Sequence, residues 1–231
     1  MHVGLIMDGN GRWATRKGFD RIEGHKSGAK VVEEIIRSCS QAGVKTLTLY
    51  AFSTENWSRA KDEIKGLMDL FNYYISRHLT EMISNGIRIK FLGSKDGLPD
   101  KIVDLINNAT EKSAYNNKFF LNIAINYGGR DEIVRAVRKI AKNVKNGLID
   151  VDDIDEKTIT SMLDTSSQRD PDLIIRTAGE QRLSNFLSWQ SAYSEFYFSG
   201  LEWPEFNKTE FFKALESYKS RVRSFGAVAG E

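Results

Sequence analysis

Short runs rich in β-branched and aromatic residues alternate with longer amphipathic segments along the whole chain. That alternation closes into a parallel sheet covered by helices, because parallel neighbours need a crossover of a dozen or more residues and the intervening segments supply it. The strand-like runs are His2 to Met7, Lys45 to Phe52, Ile87 to Leu92, Phe119 to Asn126, Asp172 to Thr177 and Glu195 to Ser199. Helical periodicity covers about Ser27 to Ala42, Asp62 to Ser84, Pro99 to Tyr115, Arg130 to Lys145 and Lys208 to Arg223. In the second of these, Ile64, Leu67, Met68, Phe71, Tyr74, Ile75, Leu79, Met82 and Ile83 recur at three- and four-residue steps, so one face is continuously apolar. Gly43, Gly86 and Gly147 stand at helix C′ positions, and the three prolines fall at element boundaries. The acidic run from Asp150 to Lys157 reads as a solvated loop capping the short helix after it. With no repeat and no low-complexity linker, residues 1–231 read as a single α/β domain: a central, mostly parallel six-stranded sheet flanked by helices.

Charge and cysteine content narrow the function. The chain has 33 Lys and Arg against 31 Asp and Glu, a net charge of +2, so no broad basic field exists and nucleic acid is not an expected partner. Cys39 is the one cysteine; it excludes an intrachain disulfide and a multi-thiolate zinc site, which fits a reducing cytoplasm. No apolar stretch approaches the ~20 residues that span a bilayer, and Met1 runs into HVGLIMDG without a basic leader. A cytoplasmic protein is expected, with membrane contact at most peripheral.

In open parallel sheets, ligands bind beyond the carboxyl ends of the strands, and three of those junctions are unusual here. After the first strand comes Asp8, Gly9, Asn10, Gly11, Arg12 and Trp13. Glycines let backbone N–H groups approach an anion, Arg12 can chelate phosphate oxygens, and Asp8 can hold a hard cation such as magnesium. A tight turn is the plainer reading, but Arg16, Lys17, Arg21, His25 and Lys26 gather positive charge close by, and His25 at a helix start can donate to a phosphate. The second junction is Ser53, Thr54, Glu55, Asn56 and Trp57, with Arg59 beyond; Trp57 offers an apolar wall, and a helix N-cap is the alternative reading. The third runs from Arg176 to Phe186. Its Arg176 and Arg182 forks and the Ser184 hydroxyl suit a diphosphate, and Glu195 is a second metal ligand if its edge folds back on Asp8. There is no GxxxxGK[ST], no GxGxxG spacing at Tyr127 to Glu132, no HExxH and no GxSxG.

HVGLIMDGNGRWA, GHKSGAK, LTLYAFSTENW, LNIAINYGGRDEI, DLIIRTAGEQRLSNFLSWQ and YSEFYF resemble, in order and spacing, the signature regions of the cis-prenyltransferases, the family of undecaprenyl diphosphate synthase. The resemblance covers residues 2 to 226. It implies a homodimeric α/β enzyme with a hydrophobic tunnel, condensing an allylic diphosphate such as farnesyl diphosphate with isopentenyl diphosphate to build Z double bonds, with Mg2+ as cofactor. By motif position, Asp8 binds magnesium and assists departure of the allylic diphosphate. Gly9, Asn10, Gly11 and Arg12, with Arg21 and His25, cradle that group, and Trp13 lies beside the allylic substrate. Ser53, Thr54, Glu55, Trp57 and Arg59 contact substrate, and Asn56 helps remove the proton. Arg176, Arg182, Leu183 and Ser184 hold isopentenyl diphosphate, and Glu195 is a metal ligand.

Gln181, Ala178 and Ala60 depart from the family pattern without removing a catalytic group, and Ser224 replaces an arginine of the tail that reaches the partner's site in relatives. Two other readings compete. The DDIDE run at 152 to 156 matches the acidic motif of trans-prenyltransferases, but those need an all-α fold; a non-catalytic partner subunit would lack Asp8. For product length, Ala51 is expected to leave the tunnel passable and Phe119 and Phe120 to obstruct its far end, giving a medium to long polyprenyl diphosphate that is released with peripheral contact at the inner membrane face.

Overall fold

The computed structural model describes residues 1–222. Its elements follow in the order β1 (His2–Ile6), α1 (Asn10–Arg16), α2 (Arg21–Gln41), β2 (Thr46–Ser53), α3 (Lys61–Ser84), β3 (Ile87–Leu92), α4 (Asp100–Lys112), β4 (Phe119–Tyr127), α5 (Gly129–Lys145), α6 (Glu156–Met162), β5 (Leu173–Arg176), β6 (Glu195–Phe198) and α7 (Lys208–Lys219). The six strands pair in the order β3-β4-β2-β1-β5-β6, and every pairing is parallel.

Both faces of this sheet are covered, which is why its strands read as near-continuous apolar runs. Val3, Leu5, Leu47, Leu49, Leu121, Ile123, Leu173 and Ile175 point to one face, where α2, α3 and α7 bring Ile35, Ile75, Leu79, Phe211 and Leu215 into the main core. The lone thiol, Cys39, is fully buried there, and burial pushes its pKa up to about 12. The alternate residues Ile6, Ala124 and Ile174 point to the other face and pack with Tyr127, Phe186 and Leu187. Behind them, buried Glu132 at the start of α5 accepts from the Tyr127 hydroxyl at 2.6 Å and from Gln190 at 3.0 Å.

Strand order reverses beside β1: the chain moves from β1 to β2 on one side and returns for β5 and β6 on the other. Loops leaving β1 and β5 therefore diverge and leave a crevice at their carboxyl ends. On β2 the register with β4 slips between Tyr50 and Phe52, a bulge that turns Ala51 out of the ladder next to that crevice.

Two expectations are corrected at the first junction. The turn after β1 is followed at once by helix α1, and α2 begins at Arg21, six residues before the expected Ser27. The apolar periodicity is absent at the start of α2 because that face packs on backbone: a Cβ on Gly24 would stand 2.0 Å from the Asn10 carbonyl oxygen. The capping of the short α6 is as expected, with the Asp155 carboxylate accepting from Thr158 N–H at 2.7 Å. The last helix ends at Lys219, and the tail with Ser224 lies outside the described residues. Among the described residues, no helix is long and apolar enough to cross a membrane.

Leu47, fully buried in the central strand β2, anchors the main core. Leu47→Ala is expected to lower unfolding free energy by about 3 kcal/mol, read as a shifted denaturant midpoint with an unchanged slope.

Candidate active site

A cavity of about 910 Å³ opens at the carboxyl ends of β1, β2 and β5 and descends between α2, α3 and the sheet. Its mouth carries Asp8, Arg12, Arg21, Arg59, Arg176 and Arg182; its depth is walled by Val32, Ile36, Leu49, Phe71, Ile75, Met82 and Leu121. On α3, Leu67, Leu70, Phe71 and Tyr74 are only partly buried because they face this space. At 1.5 Å per residue, the stretch from Leu67 to Met82 gives a wall about 22 Å long. The apolar face of this helix serves as channel lining as well as core.

At the mouth, β1 and β5 bring Asp8 and Arg176 together. Arg176 Nε and Nη2 donate to Asp8 Oδ2 at 3.0 and 2.7 Å, and Nη1 donates to Ser184 Oγ at 2.9 Å and to the Arg182 carbonyl. The guanidinium is buried, its side chain only 4% exposed, and it sits between Asp8 and the loop after β5. The Asp8 carbonyl is held from behind by Thr177 Oγ1 at 2.7 Å and Trp203 N at 2.9 Å. Asp8 Oδ1 accepts no hydrogen bond among the described residues, so one carboxylate oxygen stays available to the cavity.

Next to Asp8 the chain enters α1 through Gly9, at φ 105°, where a Cβ would also meet the Glu202 backbone at 2.9 Å. The Gly9 N-cap makes no side-chain cap bond and the first turn of α1 carries no acid, an arrangement compatible with an anion at that end. The remaining arginines are each held by a carboxylate. Glu63 takes Arg21 at 3.2 Å and Arg59 at 3.1 Å, and Glu180 takes Arg12 at 3.3 Å and also Arg182. Burial raises the Glu63 pKa, but the Arg21 hydrogen bond and the neighbouring positive charges outweigh it and hold Glu63 below the usual range. Such partly exposed pairs are weak enough for a doubly charged phosphate group to replace the carboxylate.

The second junction is a 3₁₀ turn, Thr54–Ser58, with a reciprocal cap: Asn56 Oδ1 accepts from Ser53 N at 3.1 Å, as the N-cap reading has it. Ser53, Glu55 and Asn56 line the cavity nonetheless. Asn185 knits three motifs: its Nδ2 donates to Glu55 Oε1 at 2.9 Å, its Oδ1 accepts from Arg130 N at 2.9 Å, and its carbonyl accepts from Gly129 N at 2.7 Å. Burial raises the Glu55 pKa, yet the Asn185 bond and other local donors bring it below the usual value. Asn185, Glu63, Glu180 and Trp203 were not singled out in the sequence. For Asn185 the signal was a turn former in LSNF, which adopts φ 65°.

Several sequence expectations change. Glu195 starts β6 in register with Leu173 and hence with Val3, at the opposite end of the sheet from Asp8, and it pairs with Arg221 at 2.6 Å. Parallel pairing forces this, so Glu195 does not join Asp8 within the chain. Trp57 walls an adjoining groove and donates to Asn126 Oδ1 at 2.8 Å; Trp13 packs on Phe19; Leu183 packs under Phe186; and none of these, nor Thr54, lines the cavity. Gln181 is exposed. Phe119 and Phe120 stand outside the cavity lining, at the strand start below its deepest β4 residue, Leu121. Phe119 packs into the core one pleat below Leu121, and Phe120, at the alternate position, points to the opposite face.

His25 lines the cavity in the second turn of α2 rather than at its first residue, and its buried Nε2 has no hydrogen-bond partner among the described residues. Burial, and then the Arg59 charge, lower its pKa to about 4, so the ring is neutral at pH 7. No group of three or more His, Cys, Asp or Glu converges among the described residues. A cation at the mouth would take the free Asp8 oxygen and oxygens of an anionic ligand, which is the donor set magnesium accepts, and the residues present fit it on those terms.

The model of the undecaprenyl diphosphate synthase family matches residues 6–226. Isoprenyl transferases of Agrobacterium fabrum and Aquifex aeolicus are each 48% identical to this chain; the first match covers 99% of this chain and 92% of the relative, the second 100% and 97%. The crystal structure of lavandulyl diphosphate synthase from Lavandula x intermedia, in complex with dimethylallyl diphosphate, superposes with a TM-score of 0.94 at 40% identity, covering 97% of each chain.

Because the folded His25 pKa lies below the ordinary 6.5, the unfolded chain binds the extra proton between about pH 6.5 and 4. Stability is then complete above that window and falls as pH drops through it. The melting temperature of His25→Gln is expected to fall less steeply than that of the native protein between those two pH values.

Proposed function

The chain belongs to the undecaprenyl diphosphate synthase family, the cis-prenyltransferases, and from this premise we propose that it condenses isopentenyl diphosphate with an allylic diphosphate, farnesyl diphosphate first, to build a Z-polyprenyl diphosphate and release pyrophosphate. The observation that carries this reading is one cavity with an arginine-lined mouth and a mostly apolar depth, walled along about 22 Å of α3. The relative whose structure holds dimethylallyl diphosphate, itself an allylic diphosphate, supports it.

The allylic diphosphate is assigned to the α1 end of the mouth. Backbone donors from Gly9 to Arg12, the Arg21 fork and the neutral His25 ring receive its oxygens, displacing Glu63 from Arg21. Heterolysis of the C–O bond moves an electron pair onto the diphosphate, and donors already aimed at that position stabilise the charge as it forms. Magnesium, when bound by Asp8 and the diphosphate, supplies further neutralisation of the leaving group. The isopentenyl diphosphate is assigned to Arg182 and Ser184 in the loop after β5, while Arg59, which shares Glu63 with Arg21, stands on the allylic side. Buried Arg176 is a positioning residue that fixes Asp8 and the Ser184 loop to each other. The isopentenyl double bond attacks the allylic cation, forming the new C–C bond, and the resulting tertiary cation loses a proton to the departing pyrophosphate. Asn56, its amide oxygen fixed by Ser53 N–H, presents its NH₂ where it can orient that acceptor. Each added five-carbon unit gains about 0.8 kcal/mol per CH₂ buried as the chain moves into the apolar depth.

Two copies are taken to form the working unit. β6 is an edge strand, and Phe198 on it and Tyr193 before it are exposed, 37% and 72%. A lipid product of this kind is handed to a membrane, with peripheral contact at its cytoplasmic face.

Purified protein supplied with magnesium, farnesyl diphosphate and radiolabelled isopentenyl diphosphate is expected to form butanol-extractable polyprenyl diphosphate. Asp8→Asn keeps an acceptor for Arg176 but removes the charge at the metal position; turnover is expected to drop at least about a hundredfold while isopentenyl diphosphate binding by calorimetry persists. Native-like turnover in this variant would sink the assignment.

A further inference from the structure

Helices α2 and α3 form the side wall of the cavity away from the sheet, and polar contacts close the seam between them at three depths. Near the mouth Arg21 meets Glu63 at 3.2 Å, midway the Tyr74 hydroxyl donates to the Lys26 carbonyl at 3.4 Å, and deepest, His78 Nε2 meets Glu33 Oε1 at 3.2 Å. Glu33 and His78 both line the cavity, one helical turn short of Met82, where the other wall residues are apolar. Polar side chains in the wall of a lipid channel are unfavourable unless they are paired, and these two are paired across the seam. On the outer side, Glu81, 59% exposed and not part of the lining, lies 3.6 Å from His78 Nδ1. The imidazole therefore runs through the wall from lining to solvent, and the Tyr74 ring stacks on it at 6.0 Å and 13°.

We propose that the Glu33–His78 pair is a clasp that sets product length: it keeps α2 on α3 beside the deep end of the channel, so a growing chain that has filled the cavity meets a closed, polar wall and is released. The idea rests on the polyprenyl-forming reading above and adds a determinant to it. The pair lies far from the diphosphate-binding mouth, so its loss changes how far elongation proceeds rather than whether it starts. Length is a competition between the next condensation and release, and a partly exposed polar pair alters that ratio by a small factor.

The test is the chain-length distribution of labelled products from full-length protein, resolved by thin-layer chromatography. His78→Ala and Glu33→Ala are each expected to raise the ratio of longer to native-length product by roughly two- to fivefold. The reciprocal exchange, Glu33→His with His78→Glu, is expected to return the native distribution, which a purely steric or destabilising effect would not do. Unchanged distributions in both alanine variants overturn the clasp, as does failure of the exchange to restore native length. Should the alanine variants not fold, His78→Arg keeps a nitrogen donor beside Glu33 and is expected to give products no longer than native; longer ones overturn the proposal. If the native protein forms no labelled polyprenyl product, the underlying reaction itself is refuted and the clasp with it.

Discussion

At the junction of β1 and β5 a buried guanidinium, Arg176, donates through two nitrogens to one oxygen of Asp8 and through the third to the loop that follows β5. A buried guanidinium of this kind is tolerable only when its donors are satisfied, as they are here by Asp8, Ser184 and the Arg182 carbonyl. The rest of the site depends on this contact. It orients the carboxylate with one oxygen free, fixes Ser184, and joins the first and third chemical motifs, which stand 168 residues apart in sequence. Parallel pairing of β1 with β5 puts Ile6 beside Arg176, so sheet register and site geometry are one constraint.

Around that fixed centre the other arginines are held more loosely. Arg12, Arg21, Arg59 and Arg182 are at least 32% exposed and share the carboxylates of Glu63 and Glu180. Cations gathered for small anions are matched here by local acids, in keeping with the near-neutral total charge, which limits self-repulsion at the mouth without building a field for polyanions. The same economy appears in α3, whose apolar face closes the core with Ile75 and Leu79 and lines the cavity with Phe71 and Met82.

Much of this was legible from residue order. All six strands fall within a residue or two of the expected runs, since β-branched runs buried on both faces leave a strong local trace. Gly43, Gly86 and Gly147 follow their helices at positive φ as their C′ positions require. The starts of α1 and α2 were hidden because Gly24 replaces an apolar side chain where two backbones touch, which periodicity cannot register. Trp57 and Leu183 belong to the right motifs yet face a neighbouring groove and the opposite face of the sheet, because a motif names residues and not the direction of each side chain.

Glu195 shows the boundary most clearly. From sequence it is a carboxylate beginning a strand near the third motif; in the fold, parallel alignment sets it at the far end of the sheet, paired with Arg221. Local chemistry determined by itself the α/β class, the three polar junctions and the family, because periodicity and motif spacing are properties of short stretches. Which of those groups meet, that Glu63 and Glu180 hold the arginines, and that Glu33 and His78 close a channel wall were decided only by tertiary structure. The Arg21–Glu63, Glu33–His78, Arg12–Glu180 and Asp8–Arg176 contacts join residues 42 to 168 positions apart, and strand register and helix packing alone set their distances.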